Sequence, residues 1–190
     1  MQILHEKQVS LLTDWITGSA FAMRCLRMVR DLALPDWAIG AGFVRSLAWD
    51  RLCGYATPTP LPDIDVLFFD TADLSPKRER DGEAWLEQQW PSQGWSLRNQ
   101  ARMHAGNGDL PYRDTADAIA NWLETPTAVA VRLEPDNRLH IIAPHGLDDL
   151  LALRVRPTLA GQRRIAAYHA RMAAKNWAAT WPNVVVEGPT

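Results

Sequence analysis

Ile39-Gly40-Ala41-Gly42-Phe43-Val44-Arg45, followed by Asp63-Ile64-Asp65-Val66, is the stretch on which the reading of this chain turns. The first segment is a glycine turn between a short apolar strand, 37–40, and a helix that Gly42 opens and Gly54 stops. Thr57-Pro58-Thr59-Pro60-Leu61-Pro62 lacks three backbone donors, so it reads as a rigid loop into the next strand, 63–69. Side chains alternate along a strand, so Asp63 and Asp65 project from one face. Two carboxylates so placed can meet one hard cation, such as Mg²⁺, whose remaining ligands come from substrate phosphates. Gly42 lets the backbone approach a phosphate, and the helix start supplies unpaired N–H groups. Asp70 has the opposite parity and reads as a strand-end cap.

Outward from this unit, apolar spacing predicts helices over 5–33, with a break at Gly18-Ser19, and over 76–90. Residues 95–104 alternate as a strand that would place Arg98, Gln100, Arg102 and His104 on one face. Asn107-Gly108-Asp109 is a turn, and 114–122 a short helix. Strands at 127–133 and 138–143 flank a Glu134-Pro135-Asp136-Asn137 hairpin turn. Asp148 and Asp149 sit in the first turn of a helix, and a last helix spans 162–181. The pattern is a mixed α and β centre flanked by helices, organised as one domain over 1–190.

Composition sets limits on the function. A formal net charge of −2 gives no global field for long nucleic acid. Cys25 and Cys53 have no metal-ligand spacing, and no apolar run is long enough to span a bilayer, so a cytoplasmic protein without membrane attachment is expected. Nine tryptophans read chiefly as packing residues, with one or two available to stack on a base or sugar. Trp49-Asp50 reads as packing plus a helix-surface ion pair.

Gly40-Ala41-Gly42-Phe43-Val44-Arg45, Leu52, Gly54 and Asp63-Ile64-Asp65 resemble the head-domain signature of DNA polymerase β-type nucleotidyltransferases. The Val-Arg after the glycine is similar to the branch that adds CCA to tRNA. Over nearly its whole length the chain resembles a bacterial nucleotidyltransferase-like family. Arg98-Asn99-Gln100-Ala101-Arg102-Met103-His104, Val131-Arg132-Leu133 and Pro144-His145-Gly146-Leu147-Asp148-Asp149-Leu150 are among the segments that carry this likeness. The resemblance implies an α+β fold, a mixed sheet of about five strands flanked by helices. It also implies metal-dependent transfer of a nucleoside monophosphate from a triphosphate such as ATP to a hydroxyl acceptor.

On this reading Asp63 and Asp65 hold Mg²⁺, with Mn²⁺ as the alternative. Ala41 and Gly42 approach the phosphates, and Arg45, Arg98, Arg102 and Arg132 are candidates to clamp them. The acceptor is a small molecule, an RNA end or a protein side chain. Two departures from the signature stand out. Ala41 replaces the first glycine, and the strand at 95–104 offers no third carboxylate. Glu124 is the first choice for that acid, and Asp109 ranks below it. Without a third acid, the alternative is an inactive nucleotide-binding or interaction module that keeps the fold.

Overall fold

The computed structural model describes residues 5–188. Two amphipathic helices, α1 (Glu6–Thr17) and α2 (Ala20–Asp31), come first, broken where Gly18 ends one and the Ser19 side chain accepts from Ala22 N to begin the other. A short strand β1 (Ala38–Gly40), helix α3 (Gly42–Leu52), strand β2 (Ile64–Phe68), helix α4 (Pro76–Gln89) and strand β3 (Trp95–Asn99) follow. Then come α5 (Gln100–Asn107), α6 (Thr115–Ala120), the hairpin of β4 (Ala130–Leu133) and β5 (Leu139–Ile142), and α7 (Asp148–Leu151). The chain finishes with β6 (Arg154–Val155), α8 (Leu159–Arg163), α9 (Ile165–Lys175), α10 (Trp177–Thr180) and β7 (Val185–Val186).

Five strands form one mixed sheet in the order β3-β2-β1-β4-β5, as expected for an α+β fold, and helices flank it. β1 is only three residues long, yet it is central and wholly buried. It runs antiparallel to β2, with Ile39 opposite Val66, and antiparallel to β4, with Ile39 opposite Val131. β2 and β3 are parallel, joined through α4. The larger core packs Leu12, Ile16, Leu26 and Val29 of the first two helices against Ile39, Val66, Val131 and α3. Ala38, Leu67, Ala130 and Ile142 face a second cluster built around Ile119. Trp49 is fully buried, donates from Nε1 to Leu150 O at 3.1 Å, and meets the edges of Trp177 and Trp181.

Three expectations are corrected. The segment 95–104 is a strand only to Asn99, and α5 begins at Gln100. Asn99 makes the switch, because its fully buried side chain accepts from Ala101 N and Asp70 N and donates to Asp70 O and Asp73 O. A side chain that caps a helix start ends the alternation, so the polar row ending at His104 is not one face of a strand. The helix at 162–181 is three pieces, interrupted at Arg164 and at Asn176, whose φ is 40°. Asp50 makes no surface ion pair. It is 6% exposed and accepts from Thr59 N, Thr59 Oγ1 and Trp181 Nε1. Asp70 does cap the strand end, accepting from Ala72 N and pairing with Arg78.

Asn99→Ala removes four hydrogen bonds at this switch. Urea unfolding is expected to show a loss of about 2–4 kcal/mol. Asn99→Asp is expected to fall at least as far, since a carboxylate cannot donate to the two carbonyls.

Candidate functional site

The turn from β1 into α3 is built on backbone strain. Ala41 has φ 54° and ψ −125°, a left-handed conformation that glycine enters freely and alanine does not. Its N–H donates to Val129 O at 3.1 Å, and no side chain caps the helix it precedes. The glycines on either side differ. A Cβ on Gly40 would lie 3.0 Å from Ala130 Cβ and 3.2 Å from Trp122 Cη2, so Gly40 is a packing glycine. A Cβ on Gly42 would meet only Arg45 Nη2 at 3.6 Å and Leu61 Cδ2 at 3.8 Å, which are ordinary contacts. Neither packing nor φ demands a glycine at 42, and Ala41 beside it lines a cavity.

Asp63 lies exposed just before β2, and Asp65 lies half-buried within it. Neither carboxylate has a hydrogen-bond or ion-pair partner among the described residues. Burial pushes the Asp65 carboxyl above the usual range, and the charge of Asp63 adds to this. Arg171, Lys175 and Arg45 oppose it. Two unpartnered carboxylates so placed suit a hard divalent cation completed by substrate oxygens. Among the described residues, no group of three or more His, Cys, Asp or Glu side chains is placed to hold a metal ion.

Glu124 sits where the chain bridges to Pro157, and it is 1% exposed. Its Oε1 accepts from Arg171 Nε at 2.6 Å, while Oε2 is buried without a partner. It shares a cavity of about 430 Å³ with Ala41, Asp65, Trp122, Arg164 and Arg171. Asp109, the lower-ranked acid, accepts from Tyr112 Oη at 2.6 Å, lies 3.6 Å from Arg164 Nη2, and does not line this cavity.

The arginines divide. Arg45 is 7% exposed behind the turn, donates to Thr127 Oγ1 at 2.9 Å, and stacks 4.6 Å from the Trp177 ring. Burial lowers its pKa to about 10, opposed first by the charge of Glu124. Arg98 pairs with Glu83 at 2.5 Å and Arg102 with Glu79, both on α4. Arg132 bridges Asp36 and Glu134. None of these three lines the cavity. Besides Arg45, the basic residues that approach Asp65 are Arg171 and Lys175 of α9, which sequence reasoning passed over. Arg164, Arg171 and Lys175 recur at intervals of seven and four, a basic helical stripe legible in the sequence.

A family profile described as nucleotidyltransferase matches residues 27–186. A solved structure whose description says that it reveals a CCA-adding enzyme head domain is 32% identical to this chain. That likeness covers 93% of this chain and 94% of the other, with a TM-score of 0.83. No curated protein matches. The chain belongs to the nucleotidyltransferase family.

Ala41→Gly is expected to raise stability by about 1 kcal/mol in urea unfolding, because it relieves the left-handed strain. The raised Asp65 pKa means that the folded state holds this proton more tightly than the unfolded chain. Its contribution is therefore most favourable at low pH and is lost as pH rises through the raised value. Asp65→Asn should accordingly raise Tm more at pH 7 than at pH 4. Carboxyl ¹³C NMR of Asp63→Asn should show a lowered Asp65 midpoint.

Proposed function

We propose that this member of the nucleotidyltransferase family transfers a nucleoside monophosphate from a nucleoside triphosphate to a hydroxyl acceptor, with a divalent metal. The observation that carries this reading is the convergence of Ala41, Asp65, Glu124, Arg164 and Arg171 on one cavity beside the uncapped start of α3. The phosphates lie against the open turn at Gly42, where the first N–H groups of α3 point outward. Asp63 and Asp65 would hold Mg²⁺ or Mn²⁺, and the ion supplies charge neutralisation at the phosphoryl oxygens. Arg171 and Arg164 add positive charge on the opposite wall. The acceptor oxygen forms a bond to the α-phosphorus, the bond from that phosphorus to the pyrophosphate oxygen breaks, and pyrophosphate leaves. The acceptor's proton passes to the free Oε2 of Glu124 or to water. The protein acts by positioning and by fixed charge.

A second reading is an inactive relative that binds nucleotide without turnover. The engagement of Glu124 by Arg171 favours it, as does the lack of a three-acid group among the described residues. For either reading the acceptor or partner is a small molecule, an RNA end or a protein side chain. Two free cysteines support a cytoplasmic location. No described helix is long and apolar enough to cross a membrane.

Calorimetry with each of the four nucleoside triphosphates, with and without Mg²⁺, tests the site. Asp63→Asn/Asp65→Asn should weaken Mg²⁺-dependent binding by at least about tenfold and leave metal-free binding equal or tighter, since two repelling charges are gone. Gly42→Ala should stay within about 1 kcal/mol of wild-type stability and still lose affinity. Unchanged binding in all variants would sink the assignment. Binding without pyrophosphate release across a panel of acceptors would select the inactive reading.

A further inference from the structure

A second cavity, of about 490 Å³, lies along one face of α3, where Phe43, Ser46, Leu47 and Asp50 follow each other at helical spacing. Phe21 of α2 and the loop carrying Tyr55 and Leu61 complete its walls. The volume suits a small organic molecule, and the walls are mostly apolar. Two polar groups inside are unusual. Asp50 is 6% exposed, and its carboxylate accepts three hydrogen bonds, all from neutral donors. No Lys, Arg or His nitrogen lies within 4 Å of it among the described residues. Ser46 is 4% exposed, and its hydroxyl makes no hydrogen bond to any described residue.

A buried carboxylate without a cation is costly, and it retains one of four lone-pair sites. Arg51, the other charged residue of the lining, is exposed and so screened by water, whereas Asp50 is buried. Phe21, Phe43 and Tyr55 add π faces, which attract cations. We propose that this cavity binds a small organic ammonium ion with an apolar body and a hydroxyl group, its nitrogen toward Asp50. Leu61 and Ile64 line the cavity and flank the segment that carries Asp63, and Leu61 Cδ2 would lie 3.8 Å from a Cβ on Gly42. A ligand held here sits beside the transfer site as its acceptor, a role that rests on the nucleotidyl-transfer reading. The binding does not depend on it.

The test uses three probes of one size in ¹H–¹⁵N NMR titrations of the full chain without nucleotide: tyramine, 4-ethylphenol and 3-(4-hydroxyphenyl)propionate. Tyramine should shift the amides of Ser46, Leu47 and Leu61, with a Kd at least about tenfold below that of 4-ethylphenol and with the anion weakest. Asp50→Asn should make tyramine and 4-ethylphenol equal. Ser46→Leu, which fills the cavity without touching the Asp50 hydrogen bonds, should remove tyramine binding from a folded protein and decides the matter if Asp50→Asn does not fold. The proposal is overturned if tyramine leaves those amides unmoved, if the neutral or anionic probe binds as well, or if folded Ser46→Leu keeps the amine. Calorimetry with Mg²⁺-triphosphate on the same samples reports on the transfer site alone, so either reading can fail while the other stands.

Discussion

The guanidinium of Arg45 is buried, charged at neutral pH, and held by a single hydrogen bond to a neutral hydroxyl. A cation in that position is tolerable only if the surroundings supply what water would have supplied. They do so from distant parts of the chain. The rings of Trp49 and Trp177 cover it, Thr127 accepts from it, and the charges of Glu124, Asp65 and Asp63 favour its protonated form. Arg45 leaves the first full turn of α3, so the same residue that fixes this electrostatic centre also fixes the direction in which the open helix start points. The C-terminal helices, the segment before β4 and the strand with the two acids are thus tied to one charge.

Around that charge the site is close to balanced without being paired off. Three acids lie near Arg45, Arg164, Arg171 and Lys175, yet of the three only Glu124 makes a direct ion pair among the described residues, with Arg171. Asp63 and Asp65 are left with each other, a repulsion that burial of Asp65 strengthens. Acids elsewhere in this chain find arginines, as Asp36, Asp70, Glu79 and Glu83 do. Arg78, Arg98, Arg102 and Arg132 neutralise those neighbours, while Asp63 and Asp65 remain available.

Much of this was legible because it is local. A glycine turn, a proline-rich loop and an Asp-x-Asp strand are each decided by a few adjacent residues, and the order of elements through α4 follows from them. Glu124 is singled out only because the family resemblance implies a third acid and this residue precedes the strand at 127–133. Where reading failed, a single side chain overrode a pattern. Alternation through 95–104 was real in the sequence, but the hydrogen bonds of Asn99 converted its second half into a helix. The run at 162–181 has helical composition throughout. Its breaks fall at Arg164, which donates to Asn121 O, and at Asn176, whose φ is 40°, and no periodicity marks either position. Arg98 and Arg102 were expected at a substrate face on the strength of that alternation, and their carboxylate partners on α4 lie outside any local window.

The cavity beside Asp65 also has a history in time. Its floor, Ala41 and Asp65, comes from the first half of the chain, and its far wall, Arg164, Ala167 and Arg171, comes from the last helices. Bringing such distant segments together carries a large loop-closure cost. On the ribosome the N-terminal half emerges first, so both aspartates are synthesised before Glu124, the β4–β5 hairpin and α9. The acids are made early and the residues that enclose them last. A nascent chain therefore carries its carboxylates before it has their enclosure, and the cavity is complete only once the final third has docked.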